Sequence, residues 1–379
     1  MTTVGGPTID PGRFGRRTRG IALPLAATLV AFVIGGLVVA ATGHNPLSAY
    51  KAIFDGTGLN WLFPWVSGFE RQAAARDLQQ TLLVMTPLIL TACAVGFSFR
   101  AGMFNIGGQG QYWVGLTAAL VVGTHLEGTA TWLHVTLGMV AAITAGSIWG
   151  AIAGVLKATR GAHEVITTIM LNFVGVALAS WATQYHYKPP GDALLETVPI
   201  GENAHIARLG RFVPGFPERI PLNLAFPLAL VTCLLVYLFL WRTRWGYQIR
   251  ATGANAEAAQ YGGIATGRQI VLAMALSGAL AGMVGINEVL GYRYRYYDSF
   301  SSGYGFTGIA VALLGRNHPV GVILASLLFG ALLRGGLFVD IFTEHVSKDL
   351  VLVLQGTIIL FVAAEAAFRG PFGRRIKGV

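Results

Sequence analysis

The sequence predicts an all-α polytopic membrane protein of about ten transmembrane helices, and three observations carry that prediction. Hydrophobic residues make up 54% of the chain and charged residues 12%, about half of the roughly 25% that a soluble domain needs to keep its surface hydrated. Runs of about 20 apolar residues, the length that crosses a hydrocarbon core of roughly 30 Å, recur along the chain. The third observation is the 50 glycines, which are more frequent in membrane helices because they let backbones approach closely. The net charge of +10 lies in short clusters between apolar runs. With no continuous basic face, it reads as a set of topogenic signals, not as a nucleic-acid surface.

Residues 1–20 form a basic N-terminus containing Arg13, Arg16, Arg17 and Arg19. The first run, 21–41, is longer than the roughly 7–15 residues of a signal-peptide core, which predicts an uncleaved first helix. An outer segment, 42–78, leads to runs at 79–99, 106–123, 132–156 and 165–184. A second outer segment, 185–221, is rich in proline, with Pro189, Pro190, Pro199, Pro214, Pro217 and Pro221; both outer segments are expected to be ordered caps or short interfacial helices. Runs at 222–241 and 269–290 flank a cytoplasmic loop at 242–268. The run 303–315 is too short to span as one straight helix, 319–336 and 349–368 complete the ten, and 369–379 is a basic tail. Arg100, Lys157, Arg160, Arg242, Arg244, Arg250, Arg268 and Arg316 all fall inside if the N-terminus is inside. The positive-inside rule then puts both termini in the cytoplasm.

Ten spans divide into five plus five, and because five is odd, a second half of the same fold must enter the membrane from the opposite side. The third helix of each half opens with a Gly-rich, Phe-containing segment, Gly102-Met103-Phe104-Asn105-Ile106-Gly107-Gly108 and Gly303-Tyr304-Gly305-Phe306-Thr307-Gly308. Two inverted five-helix halves, forming one permeation domain over 21–368, are therefore expected.

Several chemistries are excluded by what is missing. None of Lys51, Lys157, Lys188, Lys348 and Lys377 follows a glycine, so no phosphate-binding Gly-Lys loop exists and any ATP must be hydrolysed by another subunit. His163-Glu164 is followed by Thr167 where a zinc protease needs histidine, and no histidine pair has i, i+3 or i, i+4 spacing, so no metal site is expected. Cys93 and Cys233 each sit in an apolar run and read as packing residues. An intramembrane enzyme would need a paired nucleophile and base, which is not found, so no catalytic residues are assigned. An ion-coupled secondary transporter would need intramembrane acids, and only Glu288 and Glu365 are candidates.

In the cytoplasmic loop, Asn255 suits a helix N-cap, Glu257 the first turn, Ala256, Ala258 and Ala259 the helix itself, and Gly262 and Gly263 its end. A helix this short is unstable alone and must dock on something, which makes it a lever.

Here the sequence resembles a known family. Glu257-Ala258-Ala259 with Gly263 looks like the start of the coupling-helix motif of bacterial ABC importer permeases, although Ala273 stands where that motif expects isoleucine. Phe104-Asn105-Ile106-Gly107-Gly108-Gln109-Gly110-Gln111, the stretch from His163 through Asn172, and the stretch from Gly305 through Gly315 resemble the branch that includes ribose, branched-chain amino acid and nucleoside permeases. They are most similar to the longer permease of nucleoside importers, over roughly residues 20–368. Many relatives have glutamate at the position of Gln109. The resemblance implies a multi-pass permease of the bacterial plasma membrane. It would work by alternating access with a second, paralogous permease chain, ATPase subunits that use ATP and Mg, and an extracellular substrate-binding lipoprotein. It binds no cofactor itself, and Asn255, Glu257, Ala258, Ala259, Tyr261 and Gly263 are its expected ATPase contacts.

A nucleoside is neutral, with an aromatic face and sugar hydroxyls, so its path is expected among aromatic rings and amides: Phe104, Asn105, Gln109, Asn172, Asn287, Tyr304 and Phe306. The same amides also suit tying helices together. Glu288 is expected either to pair with Arg293 or Arg295 at the outer mouth or to accept ribose hydroxyls. Simple sugars would need fewer aromatics, and branched-chain amino acids a carboxylate partner such as Arg334.

Overall fold

A computed structural model describes residues 11–126, 128–191, 196–297, 303–342 and 349–369. The first ten residues and the tail beyond 369 lie outside the described residues, so the basic terminal segments are seen only in part. The main helices in chain order are α1 (Pro11–Ala41), α2 (Pro46–Thr57), α3 (Gly68–Arg100), α4 (Gly108–His125), α5 (Thr131–Arg160), α6 (Glu164–Ala182), α7 (Ala225–Arg242), α8 (Arg244–Ala254), α9 (Ala256–Tyr261), α10 (Thr266–Gly282), α11 (Tyr304–Leu314), α12 (Pro319–Phe342) and α13 (Asp349–Arg369). Among the described residues six helices are long and apolar enough to cross a membrane: Gly68–Arg100, Thr131–Arg160, Glu164–Tyr187, Ala225–Arg242, Thr266–Arg293 and Pro319–Val339. Thr28–Ala41, Tyr304–Leu314 and Asp349–Val362 are shorter apolar helices.

Each expected apolar run coincides with a helix, although α4, α7 and α11 start one to three residues later than their runs, and several helices extend further. α3 has 33 residues, about 50 Å at 1.5 Å per residue, and starts well before residue 79 because Glu70, Arg71, Arg76 and Asp77 sustain helix while interrupting the apolar run. The outer segment 42–78 also contains α2, opened by Asn45, whose side chain accepts from Leu47 N, with Pro46 at its first position. In the cytoplasmic loop, α8 precedes the short helix at Asn255. Local signals for it exist in Thr243, which caps it by accepting from Gly246 N (3.0 Å), and in Ile249, which it buries.

The tightest pairing is α5 against α10. Gly138, Ala142, Gly146, Gly150 and Gly154 fall every four residues on one face of α5, and Gly278 and Gly282 answer them on α10. The backbones touch: a Cβ on Gly146 would lie 2.4 Å from the Gly278 carbonyl oxygen. Such contact is how membrane helices associate where lipid removes the hydrophobic drive. α3 is the central post, packed by α7, α10, α11 and α12, and α10 is flanked by α4 and α5. Cys93 of α3 and Cys233 of α7 lie side by side, Sγ to Sγ 3.1 Å, both free and buried. α5, α6 and α7 turn apolar side chains outward, among them Ile148, Ile166, Phe173, Leu234 and Leu235.

α4 and α11 start head to head inside the bundle. A Cβ on Gly305 would come within 2.5 Å of Gln109 N. α11 has 11 residues, about 16 Å, or half of a hydrocarbon core of roughly 30 Å, so the short run at 303–315 is a half-length helix.

Candidate functional site

Between α3 and α4 the chain is not helical, and this irregular stretch is held inside protein by amides. Asn105 Nδ2 donates to Gln111 Oε1 (3.0 Å) and Ser277 Oγ (2.8 Å), while its Oδ1 accepts from Gly107 N (2.8 Å). Asn172 on α6 donates to the Ile106 carbonyl (2.9 Å) and accepts from Gly110 N (2.7 Å). Gln109 Oε1 accepts from Gly305 N (2.9 Å), which ties the N-terminus of α4 to that of α11. Exposed non-helical backbone does not persist in hydrocarbon, and these bonds satisfy it. In this conformation Asn105, Gln109 and Asn172 are buried and bonded to protein, and Phe104 rests edge-on against Phe99 with ring centroids 4.9 Å apart.

The polar groups that do meet open space lie further along. A cavity of about 260 Å³ is lined by Gln80 of α3, Tyr304 of α11, Arg334 of α12, and Glu288, Tyr292 and Arg293. The last three belong to Ile286–Arg293, which continues α10 as a π-helix. The wider turn is a local feature often found at functional sites. It carries Asn287 and Glu288 adjacent to each other. Glu288, with a side chain 3% exposed, lies 3.4 Å from Arg293 Nε and accepts from Asn287 Nδ2 (3.1 Å); Asn287 Oδ1 in turn accepts from Asn223 Nδ2 (3.3 Å). Arg295, the other expected partner, pairs instead with Glu196 (3.0 Å). Arg334 is held by Asp77 (3.1 Å). Phe306 is 52% exposed and does not line the cavity.

The second outer segment closes over this end. Thr197 N donates to the Tyr296 carbonyl (3.1 Å), Ile200 N to that of Tyr294 (2.8 Å) and Ile206 N to that of Leu290 (2.8 Å), which satisfies carbonyls the π-helix leaves free. His205 stacks on Tyr294 with ring centroids 3.8 Å apart. Burial pushes its imidazolium pKa below the usual histidine value, with Arg208 adding to the shift and Glu202 opposing it. Chemically, the cavity combines a carboxyl group beside an arginine, two phenol rings and an amide. It offers acceptors for hydroxyls together with aromatic rings.

At the opposite end, α8 and α9 make an elbow. Asn255 Oδ1 accepts from Ala258 N (3.0 Å) and so opens α9, which ends before Gly263, at φ 80°. A hollow of about 880 Å³ lies in the elbow, with Asn255, Ala258 and Ala259 in its lining. A second, of about 460 Å³, adjoins Glu257, Gln260 and Tyr261. Ala259 is buried, Ala258 and Glu257 are exposed, and Tyr261 is 96% exposed. α8 itself is fixed to the bundle: Arg250 Nε donates to the Leu240 carbonyl (2.9 Å), and a Cβ on Gly253 would lie 2.3 Å from the Arg100 carbonyl oxygen. That contact joins the elbow to residues 101–107, the stretch that leads to Asn105.

The sequence reading missed Gln80, Tyr292 and the pairing of Arg334 with Asp77, 257 residues apart. No local signal marks them, because the cavity forms only where four separate stretches converge.

Residues 77–363 match the family described as branched-chain amino acid transport system, permease component. The chain is 34% identical to the guanosine ABC transporter permease protein NupP of Bacillus subtilis, over 96% of this chain and 98% of that protein. It is 30% identical to the nucleoside ABC transporter permease protein NupB of Lactococcus lactis, over 92% of each. It is also 31% identical to the glucose ABC transporter permease protein TsgB13 of Haloferax volcanii, over 95% of this chain and 92% of that protein.

Proposed function

The chain belongs to the family of branched-chain amino acid transport system permease components, and from that premise we propose that it is the membrane permease of an ATP-driven importer of nucleosides. The observation that carries the substrate is the 34% identity to a guanosine permease along nearly the whole of both chains. The cavity at Glu288 supports it, since it offers hydroxyl acceptors and aromatic rings to a neutral solute.

In this reading the chain has ten spans in two inverted halves, with both termini in the cytoplasm of a bacterium. The start of α4 and α11 at one junction supports inversion, because each is the third apolar helix of its half and their N-termini meet there. The chain pairs with a second, paralogous permease, an ATPase that uses ATP and Mg, and an extracellular substrate-binding lipoprotein. It hydrolyses nothing itself and binds no cofactor. Ligand delivered at the outer face meets Glu288, Tyr292 and Tyr304. ATP binding by the partner shifts α9, and α8 carries that shift to residues 101–107 and so to the junction of Asn105, Gln109, Asn172 and Gly305. Phe104, Phe306 and Asn287 lie along the route that opens as the halves rock.

The glucose permease relative favours one second reading, a simple-sugar permease. Uptake of labelled guanosine, glucose, ribose and leucine by cells with and without the chain separates the readings. Loss of guanosine uptake alone is expected; a loss confined to a sugar or to leucine refutes the nucleoside assignment.

A further inference from the structure

Where α8 meets α10, an open hollow of about 400 Å³ is lined by Trp245, Gln248, Arg268, Gln269 and Leu272. It shares no lining residue with the Glu288 cavity and only Gln248 with the larger hollow of the elbow. Gln269 is 6% exposed, and its Nε2 donates to Gln248 Oε1 (2.9 Å), yet its own Oε1 is buried without a partner. Exchanging O and N in both amides only leaves the nitrogen open instead. Either way one buried polar atom of a lining side chain is without a partner, a state native proteins rarely leave unfilled.

The rest of the lining indicates the chemistry of that ligand. Arg268 is exposed and no acidic residue shares the hollow. Leu272 lies one turn further along α10, so the lining passes from guanidinium and amide to aliphatic over about 6 Å. Trp245, 55% exposed, stands at its edge, with Arg244 beside it in sequence. A Cβ on Gly267, next to Arg268, would lie 3.6 Å from that of Ala158, so the last turns of α5 pack beside the start of α10. An exposed indole among arginines, where an apolar span begins, is the pattern of a membrane interface, and basic pockets between helices at that level suit lipid headgroups.

We propose that this hollow is a binding site for the headgroup of an anionic glycerol phospholipid. The phosphate lies against Arg268, a headgroup hydroxyl donates to Gln269 Oε1 once a turn of that amide brings it into the hollow, and the acyl chains leave past Leu272 with Trp245 beside them. A free phosphate would use Arg268 but would leave Leu272 and Trp245 without a role.

The test uses the full chain, purified in mild detergent and exposed to phosphatidylglycerol, phosphatidylcholine or soluble glycerol 3-phosphate, with bound lipid counted by native mass spectrometry. Phosphatidylglycerol should stay bound under activation that strips phosphatidylcholine, and glycerol 3-phosphate should not displace it. Arg268→Gln, at an exposed position that leaves folding intact, should lower retention about tenfold, the value of one charge-assisted contact. Gln269→Leu should lower it too. Phosphatidylglycerol brominated in its acyl chains should quench the wild-type fluorescence more than that of Trp245→Phe. Equal retention of the two lipids, or retention unchanged in Arg268→Gln, overturns the site. Displacement by glycerol 3-phosphate would make it a free-phosphate site, and protection of Arg268→Cys from thiol reagents only when the ATPase is present would make it part of that docking face; both results also refute the lipid.

Discussion

Replacing Glu288 with glutamine separates a solute contact from a structural ion pair, because the two roles have different energetic consequences. The carboxylate is buried at 3% side-chain exposure, while its partner Arg293 is 30% exposed. Glutamine preserves the shape and still accepts from Asn287 Nδ2, and Arg293 stays in reach of water. The desolvation cost of a buried carboxylate disappears with the charge, so the net change in stability should stay within about 1 kcal/mol. A ribose hydroxyl bound to a carboxylate contributes about 1.5–3 kcal/mol, against 0.5–1.5 kcal/mol for a neutral acceptor. The difference, about 1–1.5 kcal/mol, predicts a five- to twelve-fold lower rate of labelled guanosine uptake at subsaturating concentration, with normal protein yield. Arg293→Gln should behave differently, since it leaves a buried carboxylate with only Asn287. That change should cost about 3 kcal/mol, the lower end for a broken buried pair because water reaches this arginine. Adding Glu288→Gln to it should restore the melting temperature while uptake stays low. Unchanged uptake in Glu288→Gln with unchanged stability would refute both the contact and the energetic reasoning.

Three further outcomes are expected. Ala258→Arg, at an exposed position in the α9 elbow, should abolish most substrate-stimulated ATP hydrolysis in the reconstituted importer without altering membrane insertion; normal stimulation would mean that α9 is not the lever. Gly278→Ala places a Cβ 2.2 Å from the Gly146 carbonyl oxygen and should cost about 1–3 kcal/mol by overpacking, read as a lower melting temperature in detergent, whereas Gly356→Ala, with open space around it, should be silent. His205 holds its proton less tightly when folded than when unfolded, so its contribution is present above the unfolded pKa of about 6.5 and is lost as pH falls through the lower folded value. Amide protection factors over residues 196–224, taken against the intrinsic exchange rate at each pH, should therefore fall from pH 7.5 to 5.5, and His205→Phe should flatten that dependence; an equal fall in the variant would assign the effect to another group.

The amino-acid sequence by itself determined the membrane class, the apolar centre of the six described helices long enough to cross a membrane and the shortness of the run at 303–315, because these follow from composition counted over about 20 neighbouring residues. It also determined the start and stop of α9, since Asn255 bonds only three residues away and Gly263 alone adopts the positive φ there. The family resemblance was legible for a similar reason: its motifs are short and continuous. Helix ends were less legible where charged residues sustain a helix, as at Glu70 to Asp77, because apolar runs and helices are different quantities. Tertiary structure decided the partners. Glu288 had two arginines within seven residues, and the choice of Arg293 depended on Glu196 arriving from the outer segment to take Arg295. Asn105, Asn172 and Gln109 were identifiable as polar residues in apolar surroundings, but their bonding to Ser277, Ile106 and Gly305 depends on which helices cross. The cavity at Glu288 has no counterpart in any one stretch of sequence. It is the space left where α3, the π-helix, α11 and α12 fail to close, and its shape is set by packing among residues up to 257 positions apart, beyond the reach of any local propensity.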